Sequence, residues 1–272
     1  MLRTRVITAV VMLAVLLALF SLNSLPVIVV ASACLFAAAS WESFRLFGNK
    51  HPIVGAAIWA AAFAFLAFSG RASDVVTLFA VCVAIWAVRL TPALALGLPP
   101  LGSFPNRLLT IIYGIALLGC FPAILALYKH SAIYLVSVMV IVWVADIGAY
   151  FTGKAFGKRK LAPTISPGKS WEGAIGGWLT VLVLAALSTL VPVLHDTFAV
   201  KLQERFGWAG FVLAMTLIVA ASVVGDLFES LLKRRAGAKD SSKLLPGHGG
   251  ILDRIDALIP VLPLAVLFGL WF

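Results

Sequence analysis

Charge is what this sequence has least of. Asp, Glu, Lys and Arg make up 12% of its 272 residues, roughly half the share of a soluble domain. That shortfall excludes a water-soluble globular fold, and 62% hydrophobic residues with a mean hydropathy of +1.07 point to a protein built for a bilayer. Cysteine is nearly missing as well. Cys34, Cys82 and Cys120 lie far apart in apolar stretches, with no CxxC and no Cys/His ligand spacing, which excludes a disulfide framework or a zinc finger. No repeat, low-complexity segment or soluble insertion interrupts the apolar runs, so a single membrane domain over 1–272 is expected. Acids are the scarcer sign, 11 against 21 Lys and Arg, for a net charge of +10. In a soluble chain that excess would suggest nucleic acid. Here the positive-inside rule accounts for it, and nucleic acid is discounted as a partner.

Roughly 20 apolar residues carry a helix across the hydrocarbon core. Nine stretches qualify, near 5–22, 25–41, 52–69, 74–92, 108–128, 132–151, 171–192, 207–229 and 255–271, which predicts an all-α polytopic fold. Arg3 and Arg5 before the run from Val6 to Phe20 resemble a signal peptide, but SLNSLP offers no small-x-small cleavage site. An uncleaved first helix is expected. Alternating the connections puts Arg3, Arg5, Arg45, Lys50, Arg89, Arg107 and every cation of the loops 152–170 and 230–256 on one side. Only Arg71, Lys129, Lys201 and Arg205 face the other, so the N-terminus and both basic loops are assigned to the cytoplasm. The chain thus divides into N-terminal helices, 1–140, and a half, 141–272, that carries the polar loops.

The run SLLKRRAGAKDSSKLLPGHGGILDRID from Ser230 to Asp256 is the longest polar stretch, with six cations, Lys233, Arg234, Arg235, Lys239, Lys243 and Arg254. Its acids are Asp240, Asp253 and Asp256, and His248 stands between Gly247 and the Gly249-Gly250 pair. Cations, carboxylates and bare backbone together suit phosphates and a divalent cation. Asp226, Glu229 and Lys233, at spacings of three and four, share one helix face leading into this loop. The loop 152–170 asks for an anion too, with Lys169 set among Ser166, Pro167, Gly168 and Ser170. Pro163 breaks the Walker pattern that Gly168-Lys169-Ser170 suggests, and Leu252 breaks GxGxxG after Gly247. Ser170 is placed to cap a helix starting at Trp171. Plainer explanations stand beside these. Lys158, Arg159, Lys160, Arg234 and Arg235 also serve orientation, Asp253 and Asp256 could be helix-dipole partners, and Glu42, beside Trp41 and near Arg45, reads as an interfacial ion pair. Asp146 and Asp226 sit a turn or more inside their helices, where a charge costs at least about 2.5 kcal/mol unless water or a partner reaches it.

Ser230, Lys233-Arg234, Lys239-Asp240, Pro246-Gly247-His248-Gly249-Gly250 and Asp253-Arg254-Ile255-Asp256 together resemble the signature of the phosphatidate cytidylyltransferase (CDP-diacylglycerol synthase) family. Trp143, Asp146, Tyr150, Gly153-Lys154, Gly157-Lys158, the segment Ser166 to Gly173 and Gly225-Asp226 resemble it too. The likeness is dense from about 140 to 260 and compositional before that. Gly168 departs from it, since relatives carry a second lysine there. The resemblance implies transfer of CMP from CTP to phosphatidic acid, giving CDP-diacylglycerol and pyrophosphate. It also implies Mg²⁺ on Asp226 and Asp253 with Asp256 and Asp146, alongside a second, monovalent cation. Lys233, Arg234, Lys239 and Arg254 would hold phosphates, while Ser166, Lys169 and Ser170 line the nucleotide side and Asp240, His248, Gly249 and Gly250 complete the substrate site. A bacterial inner membrane and a homodimer are the matching expectations. Two rivals remain at this point. A transporter of an anionic metabolite would need polar residues towards both faces, and a CTP-dependent polyprenol kinase would release CDP rather than pyrophosphate.

Overall fold

The computed structural model describes residues 2–69 and 72–270. Apolar helices follow one another along the chain: α1 (Leu2–Ser21), α2 (Leu25–Leu46), α3 (Pro52–Ser69), α4 (Ala72–Ile85), α5 (Thr91–Leu96), α6 (Phe104–His130), α7 (Ala132–Phe156), α8 (Trp171–Ser188) and α9 (Phe198–Arg235), then the single turn α10 (Leu252–Ile255) and α11 (Leu258–Gly269). Among the described residues six helices are long and apolar enough to cross a membrane, counting 75–96 as one, and three shorter apolar helices accompany them at 6–21, 52–68 and 258–269. These nine correspond to the nine apolar stretches of the sequence.

Local chemistry explains most of the ends. Asn23 takes a left-handed φ of 43° between α1 and α2, a conformation asparagine tolerates. Ser103, Ser131 and Ser170 each cap the helix that follows by accepting a backbone N–H. Between α4 and α5 the helix widens into a π turn at Trp86–Leu90. Pro92 just beyond has no N–H to give, so the preceding turn cannot close in ordinary α geometry. Gly207, with φ 64°, breaks α9 into a short first segment and a long membrane-crossing one. At 1.5 Å per residue the second part runs roughly 40 Å, longer than the roughly 30 Å hydrocarbon core. Its C-terminal turns therefore emerge from the hydrocarbon with Glu229, Lys233, Arg234 and Arg235.

The tightest packing joins α7 to α8. A side chain at Gly177 would put its Cβ 2.4 Å from the Ala145 carbonyl oxygen, and one at Gly148 would reach Thr180 Oγ1 at 2.7 Å. Small residues let two membrane helices approach this closely. The 157–170 connection is thereby held at one end of the bundle. Beneath that end lies an aromatic cluster. Tyr113 stacks on Phe228 at 5.3 Å, and Trp86 and Phe47 meet these rings edge-on or tilted, which ties α2, α6 and the π turn to α9.

One departure from an all-α fold appears in that connection. Lys160–Ala162 (β1) and Ser166–Ser170 (β2) pair as an antiparallel hairpin that delivers Ser170 to the start of α8.

Candidate functional site

Both polar loops gather at the same end of the bundle, where they lean on α9. Lys169 of β2 forms an ion pair with Asp226, and Arg234 Nε donates to the Ile165 carbonyl at 3.3 Å. Glu172, in the first turn of α8, accepts the backbone N–H groups of Lys158 at 3.0 Å and Arg159 at 3.2 Å, so it holds the hairpin's entry. A cavity of about 450 Å³ opens between α7, α8 and α9, with Asp146, Tyr150, Lys154, Ser166, Lys169 and Asp226 among its walls. Asp146, Ser166, Lys169, Ser170 and Asp226, separately marked in the sequence, thus line one space. Ser170 is buried and its hydroxyl caps α8, accepting the Gly173 N–H at 3.1 Å, so its first role here is structural.

The second loop makes a cavity of its own, about 740 Å³, bordered by Lys239, Asp240, Lys243, His248 and Arg254. Leu245 and Gly249 exchange backbone contacts across a tight turn, and His248 N–H closes it on Leu245 O at 2.9 Å. His248 Nδ1 is buried with no hydrogen-bond partner among the described residues.

Lys233 and Asp253 do not face this cavity as free phosphate and metal ligands. Lys233 Nζ donates to Asp253 Oδ1 at 2.6 Å and pairs with the fully buried Glu229. Asp253 Oδ2 accepts the N–H and the hydroxyl of Ser241 and the N–H of Gly250, all at 2.8 Å. Burial alone would push the Asp253 carboxyl up. Lys233 and these donors outweigh it and hold the group below the ordinary carboxylate range. Asp253 therefore anchors the loop. The glycines are also spent internally: a Cβ at Gly249 would meet Asp253 Oδ2 at 2.6 Å, and one at Gly250 would meet Glu42 Oε1 and Ser241 Oγ, each at 2.2 Å.

Glu42 is not part of an interfacial ion pair. It is 0% exposed. Its carboxylate accepts the hydroxyls of Ser241 and Ser242 and the N–H groups of Ile251 at 3.1 Å and Leu252 at 2.6 Å. Arg45, one turn on, instead lies over the Trp41 ring at 4.7 Å. The signal was in the sequence, since Glu42 follows directly on the apolar stretch 25–41; what it lacked was a partner. Arg235 is structural as well, donating to the Pro99 carbonyl at 3.0 Å and Asn106 Oδ1 at 2.7 Å.

Asp226 and Asp253 stand in separate ion pairs, and among the described residues no three His, Cys, Asp or Glu side chains are grouped as a ready metal-ligand set. The charge balance nonetheless suits an added cation. Asp256 abuts α9 so closely that a Cβ at Gly225 would lie 2.4 Å from its carbonyl oxygen. Asp226 lies within electrostatic reach of Asp146 and Asp256, and Glu229 of Asp253 and Asp256. Among the described residues, the Lys169 and Lys233 ammonium groups are the cations paired with these carboxylates. Lys169 already offers Asp226 one positive charge, and a hard divalent ion is the kind of further cation that such carboxylate-rich surroundings attract.

Fold and site together define a polytopic helical membrane protein whose ionisable groups converge at one end of the bundle. The chain belongs to the cytidylyltransferase family, whose model matches residues 3–272. Over 273 residues it is 39% identical to the phosphatidate cytidylyltransferase of Pseudomonas aeruginosa, covering 97% of this chain and 95% of that protein. It is 52% identical over 134 residues to the enzyme of that name from Haemophilus influenzae, covering 49% of this chain and 44% of the relative. The corresponding Bacillus subtilis protein is 43% identical over 136 residues, covering 50% and 46%. The likeness therefore extends through the N-terminal helices, beyond the 140–260 segment that carries the motifs.

Proposed function

We propose that this chain transfers the cytidylyl group of CTP to phosphatidic acid, yielding CDP-diacylglycerol and pyrophosphate, at the cytoplasmic face of a bacterial inner membrane that it crosses nine times. The observation that carries the reading is the pair of polar cavities at one end of the bundle. One is set between membrane helices with Lys169, Asp146 and Asp226 in its walls, and the other is ringed by Lys239, Lys243, His248 and Arg254. A lipid phosphate can enter the first sideways while its acyl chains stay in the bilayer. The second suits a water-soluble triphosphate.

A phosphate oxygen of phosphatidic acid forms the new bond to the α-phosphorus of CTP as the bond to the bridging oxygen of pyrophosphate breaks. That nucleophile is already anionic near neutral pH, so no strong general base is required. The obstacle is repulsion between two polyanions, which preorganised cations offset. Lys169, which the resemblance assigned to the nucleotide side, faces the lipid phosphate in this reading because it lines the cavity between membrane helices, and Lys239, Lys243 and Arg254 hold the triphosphate and the departing pyrophosphate. Asp226 with Asp146 and Asp256 would hold Mg²⁺, which when bound supplies further charge neutralisation. Asp253 and Lys233 keep the loop in place around these groups.

The test is product analysis with purified protein in detergent, Mg²⁺, α-labelled CTP and short-chain phosphatidate. Label is expected in the lipid with stoichiometric pyrophosphate. Label left in soluble CDP would make the protein a kinase or hydrolase.

A further inference from the structure

Glu42 lies on α2, about 200 residues from the loop it touches, and nothing in the reaction requires it directly. Yet it is a point at which the N-terminal helices grip the second polar loop. Each of its oxygens accepts one serine hydroxyl and one backbone N–H: Oε1 takes Ser242 and Ile251, and Oε2 takes Ser241 and Leu252. The one Ser241 hydroxyl proton is shared between Glu42 Oε2 at 3.2 Å and Asp253 Oδ2 at 2.8 Å, which links Glu42 through Ser241 to the Asp253–Lys233 pair. Gly250 is a glycine because Glu42 and Ser241 fill the place of its Cβ. The same helix end carries Trp41 and Arg45, which wall a cavity of about 550 Å³ together with Lys239, Asp240 and Lys243 of the loop.

We propose that Glu42 is a positioning residue, setting the geometry of the loop 239–252 so that Lys239, Lys243, His248 and Arg254 face the nucleotide. A buried carboxylate tied only to packing would be expected to meet one partner or an ion pair. This one meets four donors drawn from two ends of a single loop, which is how a side chain clamps a segment rather than fills a space. The chemistry is also specific to a carboxylate. Serine hydroxyls can turn round to accept, but the N–H groups of Ile251 and Leu252 cannot. A glutamine at 42 would therefore point its amide at one of them, leaving two donors face to face. An aspartate would fall one methylene short.

The kinetic arm rests on the cytidylyl-transfer reading; the exchange arm does not. Full-length Glu42→Gln is compared with wild type by thermal melting in detergent, by kinetics with CTP and phosphatidate varied separately, and by hydrogen–deuterium exchange. The expected result is a fall of about 30-fold or more in kcat/KM for CTP with KM for phosphatidate within about twofold. Faster exchange should be confined to 239–252. Wild-type CTP kinetics with wild-type exchange would overturn the proposal. So would equal losses towards both substrates with faster exchange across the whole bundle, because Glu42 would then be a packing residue only. Should Glu42→Gln fail to fold, Ser242→Ala removes one of the four donors while leaving the carboxylate in place. It is expected to raise KM for CTP about three- to tenfold at an unchanged melting temperature, and an unchanged KM overturns the proposal. A wild-type protein inert towards CTP would sink the functional reading, while exchange localised to 239–252 in Glu42→Gln would still report the clamp.

Discussion

Asp226 and Asp253 carry the same side chain into different surroundings, and their substitutions should part accordingly. Asp253 is held by Lys233 and three further donors. Asp253→Asn removes the charge that Lys233 faces and turns an amide towards the Ser241 and Gly250 N–H groups. It is expected to cost about 1–3 kcal/mol of stability, read by thermal melting. Asp226 meets Lys169 at a cavity wall, with the lysine side chain 28% exposed, so water can take the place of the lost partner. Asp226→Asn is expected to melt near wild type and to lose about 100-fold or more in turnover, the scale of deleting one preorganised charge from a reaction centre. The acid limb of stability separates them again. The Asp253 carboxyl titrates below its ordinary value because Lys233 and the N–H donors outweigh burial. Its contribution is therefore complete above about pH 4, the unfolded carboxyl value, and is lost as pH falls through the lower folded value. Wild type should lose melting temperature below about pH 4 more steeply than Asp253→Asn, and parallel slopes would remove Asp253 from this role.

At the scale of elements, the α7–α8 contact decides where Lys169 stands. Gly177→Ala forces a methyl group against the Ala145 carbonyl. Backbone cannot give way as a flexible side chain does, so the helices must separate, at a cost of about 1–3 kcal/mol. Because α8 carries the β1–β2 hairpin, turnover should fall with stability. Gly168, in the middle of β2, has open space where a Cβ would stand, with nothing within 4 Å. Gly168→Ala should change stability by less than about 0.5 kcal/mol, and melts with turnover assays on the pair check both. The helices themselves were legible in the apolar runs, and so was the Ser170 cap. Their ends were less so, since α2 continues to Leu46 and α9 to Arg235, where amphipathic residues follow the helix into the interface without marking a stop. The hairpin escaped because strands of three and five residues, one containing Pro167, show no alternation of polar and apolar positions.

Across the whole molecule, contacts sort the connections into two ends. Thr8 donates to the Pro246 carbonyl at 2.8 Å, Glu42 holds Ser241 and Ser242, Arg235 reaches Pro99, and Arg234 reaches Ile165. The start of α1 thus lies beside the second basic loop, and Arg234 joins that loop to the first. At the opposite end Tyr128 meets Asn23, while His130 and Ser131 both bond Asp196. This agrees with the charge-based grouping of the loops, for which the positive-inside rule predicts a cytoplasmic face. With Cys34, Cys82 and Cys120 replaced, a membrane-impermeant thiol reagent should label Leu190→Cys in intact spheroplasts and Lys158→Cys only after permeabilisation. The reverse pattern would invert the orientation.

Sequence by itself determined the solvent this protein folds in and where its apolar helices run, because hydropathy and local spacing are properties of neighbouring residues. It also marked Asp146, Lys169 and Asp226, which share a cavity wall. Tertiary structure alone decided which charge answers which: Lys169 with Asp226, Lys233 with both Glu229 and Asp253, and Glu42 with a loop some 200 residues away. Periodicity says which face of a helix an ionisable group occupies. Only the packing of helices remote in sequence says what stands opposite, and a buried charge takes its role from that partner.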